Sequence, residues 1–141
     1  MNSADDAAGN APKFVSPPSV GEPIGEYSHV AQSGGTYFIA GQVAVDRKGN
    51  VVGEGDLTIQ LTQTFANIGS ILSSLGLGFA NVAQMTTYIT RRADVDTFYK
   101  ARRVLFPSLF GEAMYPPNTL LIVAGLVRPE LLIEVQVICT A

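Results

Sequence analysis

The sequence predicts an α+β domain, a mixed β-sheet with two helices on one face. Three observations carry this. Several short runs rich in β-branched and apolar residues are bounded by Gly, Asn, Asp and Pro. Two longer stretches repeat apolar residues at spacings of three and four, the helical period. The elements follow one another as hairpin, helix, strand, helix, strand, strand, which builds a sheet with helices gathered on one side.

At 141 residues the chain suits one domain with a real core. Residues 1–18 are rich in Ala, Asn, Asp, Ser and Pro without periodicity. They read as a disordered or loosely draped arm ahead of a single domain over 19–141. Ser33-Gly34-Gly35-Thr36 is a turn into a strand from Tyr37 to Ala40, continued past Gly41 by Val43-Ala44-Val45. Asp46 to Asn50 is a second turn, from which Val51-Val52 pairs back. Leu61, Phe65, Ile68, Leu72 and Leu75 then form one stripe of a helix, with Asp56 or Thr58 as N-cap and Gly76 as the stop. Gln60, Thr64 and Asn67 fall off that stripe.

Val82 to Thr90 reads as a strand with Met85, Thr87 and Ile89 on one face. Asp94 or Asp96 opens a second helix striped by Val95, Phe98, Leu105 and Leu109. The last two β-rich runs flank a short turn around Pro129, as a hairpin or as two sheet strands with a short connection. Each carries an amide, Asn118 at the mouth of the first and Gln136 inside the second. An unpaired buried amide costs about 1–3 kcal/mol, so each faces solvent or sits in a site.

Composition narrows the function. Hydrophobic residues make up 47% and charged ones 15%, so part of the apolar surface is expected to lie against other subunits. No apolar run approaches the roughly 18 residues of a membrane span. The acidic start lacks a signal segment, which suggests a cytoplasmic protein. A net charge of −3 argues against a nucleic-acid partner, and the cluster Lys100, Arg102, Arg103 is too small to reverse it. Cys139 is the single cysteine and alternates with Val135 and Val137, as a small buried hydrophobe would. His29 is the single histidine, read as structural or surface rather than as a catalytic base. No His, Cys or carboxylate pair stands at ligand spacing, so neither a metal nor a cofactor is expected.

Several segments in order carry a family resemblance: Gly25-Glu26-Tyr27-Ser28, Tyr37 to Asp46, Gln60 to Asn67, Tyr115-Pro116-Pro117-Asn118, and Ile133-Glu134-Val135-Gln136. Over about residues 19–140 the chain resembles the Rid/YjgF family, the reactive intermediate deaminases or L-PSP endoribonuclease-like proteins. The resemblance implies a chorismate-mutase-like fold and a homotrimer whose sheets form a central barrel, with a small-molecule cleft at each subunit interface. In deaminating members an arginine after a Pro–small-residue pair grips the substrate carboxylate. A glutamate on the final strand positions the water that attacks an imine carbon.

Here the arginine position holds Asn118 and the glutamate position holds Gln136. An amide supplies no charge and is too weak a base for proton abstraction. The lost grip is worth about 2–4 kcal/mol of substrate binding. The implied catalytic positions are Gln136 and Glu134, the latter as a displaced acid/base or as an interface ion-pair partner. The implied substrate-binding positions are Tyr27, Ala40, Gly41, Arg102, Asn118 and Thr119. Ala40 stands where a serine is frequent, Gly41 allows a close approach or a bulge, and Arg102 is a replacement cation or an exposed helix residue. Tyr27 lines the cleft or packs on the surface. The implied function is imine or enamine hydrolysis by an altered site. The alternative is a non-catalytic metabolite-binding or regulatory protein, with an endoribonuclease or translation inhibitor ranked last.

Overall fold

The computed structural model describes residues 11–112 and 114–141 of the chain. Strands β1 (Lys13–Val15), β2 (Val30–Ser33) and β3 (Thr36–Val43) precede helix α1 (Leu57–Ser74). Strand β4 (Val82–Ile89), helix α2 (Val95–Phe110), and strands β5 (Asn118–Ile122) and β6 (Ile133–Thr140) follow. They form one six-stranded sheet in the order β1-β2-β3-β6-β4-β5. Strands β4 and β5 pair in parallel and every other neighbouring pair is antiparallel. The α+β class and the mixed sheet are as the sequence predicts.

Helix α1 begins where Asp56 accepts a hydrogen bond from the Ile59 amide at 3.0 Å, so Asp56 rather than Thr58 is the cap. It stops before Gly76, whose φ of 71° lies in the left-handed region. The expected stripe is buried as far as Leu72, with Leu75 half-buried, but so are Gln60, Thr64 and Asn67, which the period places off it. For Gln60 and Asn67 the reason is hydrogen bonding, whereas the buried Thr64 hydroxyl finds no partner among the described residues. The Gln60 amide nitrogen donates to the carbonyls of Gly53 (3.1 Å) and Glu130 (2.8 Å), while its oxygen accepts from the Leu132 amide at 2.8 Å. Asn67 donates to the carbonyls of Val43 (3.0 Å) and Val45 (2.9 Å). Both amides bind backbone groups at the end of β3 and in the loops beside it.

Helix α2 starts at Val95 behind a 3-10 turn, Arg92–Asp94. Asp94 does not cap it, because the Arg91 guanidinium holds its carboxylate at 2.7 and 3.0 Å. The core joins Leu61, Ile68, Phe98 and Phe106 of the helices to Met85, Ile89, Val135 and Val137 of the sheet.

The terminal strands are not a hairpin. Strand β4 pairs with both and lies between them. Helix α2 is the crossover that a parallel β4–β5 pair requires. Val51-Val52 forms no strand either: a lone Val45–Val51 bridge and the Val52-to-Ala44 bond replace the expected hairpin. The aspartate of that turn, Asp46, accepts from the amides of Asn50 and Lys48, both at 2.9 Å, and the Asn50 bond above all lowers its pKa. Of the expected arm, residues 1–10 lie outside the described residues, and Lys13–Val15 pairs with β2 as an edge strand.

Strand β6 sets out the sheet's two faces. Ile133, Val135, Val137 and Cys139 are buried under the helices, whereas Glu134, Gln136, Ile138 and Thr140 point to the other side. Phe38 of β3, 47% exposed, belongs to that open side. No helix of the described residues is long and apolar enough to cross a membrane.

Candidate functional site

The period-2 alternation of strands distributes the implied site residues over two clefts. Register pairs Met85 with Asn118 and with Val137, so Asn118 shares the helix-covered face. Thr86 pairs with Thr119 and with Gln136, so Gln136 and Thr119 share the open face. The two amides that the sequence singles out therefore lie on opposite faces of one sheet. Within one chain they cannot meet.

The first cleft, about 460 Å³, opens where α2 passes the start of β5, and Arg102, Arg103, Tyr115 and Asn118 line it. Asn118 is oriented by the Thr87 hydroxyl, which donates to its Oδ1 at 2.7 Å. Its amide nitrogen is thereby left as the available donor. The Arg102 guanidinium lies 5.0 Å from the Phe98 ring centre, 4.9 Å from Tyr99 and 5.7 Å from Phe106. Aromatic faces hold a cation by its flat side and leave its N–H edges to a ligand. Among the described residues Arg102 makes no ion pair. It is thus neither a freely solvated helix arginine nor a paired one. No carboxylate lines this cleft, so it presents donors and positive charge.

The second cleft is a pair of adjoining hollows of about 470 and 400 Å³ on the open side, sharing Tyr27 and Ala40. Gln136 lines one and accepts from the Tyr88 hydroxyl at 3.3 Å. Gly41 and Glu134 line the other. The Glu134 carboxylate lies against the Gly41 backbone, where a Cβ would overlap it, so the close approach read for Gly41 is real. The β3–β6 register also slips between Ile39 and Gln42, which makes Ala40-Gly41 a bulge as well. Glu134 forms no ion pair among the described residues, and partial burial raises its carboxyl above the ordinary carboxylate range. Tyr27 is 47% exposed and sets its ring edge-on to His29 at 6.1 Å. Thr119 is exposed and lines neither cleft.

His29 is buried and hydrogen-bonded on both ring nitrogens, a structural role rather than a surface one. Cys139 is buried, and desolvation pushes its thiol up to about 11. Among the described residues no three His, Cys, Asp or Glu side chains gather closely enough to hold a metal ion. Sequence reasoning missed Tyr99, Arg103 and Phe106 as cleft walls. Tyr99, Arg102 and Phe106 fall at i, i+3 and i+7 of α2, a spacing that could have drawn them together.

Known proteins match over nearly the whole chain. Residues 19–141 match the family described as Endoribonuclease L-PSP. A RutC family protein of Pyrococcus horikoshii is 32% identical over 129 residues, 92% of this chain and 90% of that one. A 2-iminobutanoate/2-iminopropanoate deaminase of Dermatophagoides farinae is 25% identical over 112 residues, covering 75% of this chain and 88% of its own. The crystal structure of the YjgF gene product of E. coli superposes with a TM-score of 0.80 at 23% identity, over 91% of this chain and 98% of that one. By its mixed sheet, its two helices and these matches, the chain belongs to the Rid/YjgF family of L-PSP endoribonuclease-like proteins.

Proposed function

We propose that this protein acts in the cytoplasm as a homotrimer and binds a small carboxylate-bearing metabolite between subunits, hydrolysing an imine or enamine group on it slowly and without a cofactor. The observation that carries this reading is the division of the site. Arg102 and Asn118 occupy one face of the sheet, and Tyr27, Gln136 and Glu134 occupy the other. A second copy is needed to set one group against the other. The apolar open face, with Phe38 and Leu121 exposed, supplies a surface for it. The name of the Dermatophagoides farinae relative supports an imine substrate.

In this reading the substrate carboxylate docks on the Arg102 guanidinium edge and the Asn118 amide. Gln136 orients a water by hydrogen bonds without taking its proton. Ionised Glu134 accepts that proton as the oxygen bonds to the imine carbon and returns it to the nitrogen, giving a carbinolamine. Glu134 then carries the hydroxyl proton to the amine as the C=O forms and the C–N bond breaks, leaving a keto acid and ammonia. A stacked arginine replaces the missing one imperfectly, so turnover is slow. RNA cleavage has weaker support, because a chain of net charge −3 gives phosphates little to bind.

The test is ammonia release, or semicarbazone trapping of the imine, with 2-aminoacrylate generated by serine dehydratase. Asn118→Arg with Gln136→Glu should raise turnover by about 100-fold, equivalent to roughly 2.8 kcal/mol. Wild-type turnover matching that of an arginine-bearing relative would refute the reading of Asn118. Ligand-induced thermal stabilisation without turnover would favour the metabolite-binding alternative. Sedimentation at the mass of one 14.9 kDa chain would remove the interface altogether.

A further inference from the structure

The hydrogen bonds around His29 admit one protonation state. Its Nε2 lies 3.2 Å from the Gly21 carbonyl oxygen, which can only accept, so Nε2 carries the proton. Its Nδ1 lies 3.3 Å from the amide nitrogen of Gln42, which can only donate, so Nδ1 is the bare acceptor. The same Gln42 nitrogen donates to the Ala40 carbonyl at 3.1 Å. The Ala40 amide donates back to the His29 carbonyl at 2.8 Å. Neutral imidazole therefore satisfies all four contacts together. A proton on Nδ1 would face a second donor. Gln42 could meet it only by turning its amide, and would then withdraw the donor from Ala40.

Both side chains are buried, so water cannot readily repair the loss. Ala40-Gly41 is the bulge that lines the open-side hollows and carries Glu134 against Gly41. No side-chain carboxylate or cation among the described residues bonds to the imidazole to offset its charge. Its neighbours are the Tyr27 ring edge, Gln42, the Gly21 carbonyl and the Ser16 hydroxyl, which accepts from the His29 amide at 3.2 Å. Gly21 is itself fixed, with φ at 81° and its Cα facing the Arg47 carbonyl. The carbonyl that anchors Nε2 cannot easily retreat.

We propose that His29 and Gln42 are positioning residues that hold the Ala40-Gly41 bulge in its cleft-lining shape while the imidazole is neutral, and release it on acidification. The effect on ligand binding rests on the function proposed above, whereas the coupling of imidazole to bulge does not. His29 is the single histidine of the chain, so its titration can be followed without assignment doubt.

The experiment is an NMR titration of the full chain from about pH 8 to about pH 5, the span in which an imidazole ordinarily charges. At the upper end the imidazole nitrogens should show the Nε2–H tautomer. The Ala40 and Gly41 amide signals should then move with the midpoint of the His29 ring. Glu134 also touches Gly41, so the titration is repeated in Glu134→Gln, where the transition should persist. Gln42→Glu, which offers the protonated ring an acceptor, should raise its proton affinity about tenfold or more. An Nδ1–H tautomer, bulge amides that ignore the His29 midpoint, or a transition lost in Glu134→Gln would each overturn the proposal. Should Gln42→Glu fail to fold, the wild-type and Glu134→Gln titrations decide it. Pyruvate, as a carboxylate probe, should bind several-fold more weakly below the same midpoint. Amides that follow His29 while pyruvate affinity does not would count against the cleft, not against the switch.

Discussion

Gln60 and Gln136 are the same side chain in two settings. Behind the sheet, both amide hydrogens of Gln60 and its oxygen go to backbone groups of Gly53, Glu130 and Leu132, and nothing remains for a ligand. On the open face, Gln136 accepts one hydrogen bond from Tyr88 and its nitrogen has no partner among the described residues. Asn67 repeats the first pattern with Val43 and Val45. Glu134 repeats the second, with a carboxylate set against bare backbone. Gln60 and Asn67 hold loops in place behind the sheet, whereas Gln136 and Glu134 on the open face keep capacity for a ligand or another copy.

Substitution can break this contrast most sharply at the glutamines. Gln60→Ala strands the Glu130 carbonyl and the Leu132 amide in the core and should cost about 3–5 kcal/mol in urea unfolding. Gln136→Ala in the dissociated chain should stay within about 0.5 kcal/mol. Equal losses would show that the two faces do not differ as described. Gly41→Ala comes next, at about 1–3 kcal/mol, because its Cβ must displace the Glu134 carboxylate. In a Glu134→Ala background the same change should cost little, and a double-mutant cycle without coupling would rule out that contact.

The smallest effect is a pH slope. Partial burial raises the folded-state pKa of Glu134 above its ordinary 4.5. The protonated form is thus favoured in the folded chain. Its stabilising contribution is complete below the unfolded value and is lost as pH rises through the folded one. Against Glu134→Gln, the wild-type chain should lose stability as pH climbs from the ordinary carboxylate value through the raised folded-state one. A slope of opposite sign in the assembled protein would mean that a neighbouring copy brings a cation to Glu134.

Much of the fold was legible in local signals. The α1 stripe, its Asp56 cap and its Gly76 stop involve residues a few positions apart, and such patterns survive without tertiary context. The burial of Gln60 was not legible, since its partner loop around Glu130 is 70 residues away in the chain. The terminal hairpin reading failed for a similar reason. A strand inserted between two sequence neighbours leaves no trace in either of them. Asn118 and Gln136 could be singled out as unusual amides, yet their opposite faces depend on register through β4.

By itself the sequence determined the element types, the absence of a charged pair at positions 118 and 136, and a single histidine and a single cysteine, because side-chain identity and short-range periodicity are written residue by residue. Tertiary structure alone decided which polar groups are saturated, that Arg102 rests on three aromatic rings, and that the two amides look away from each other. Those outcomes turn on strand order and register, which are set by contacts between segments far apart in the chain.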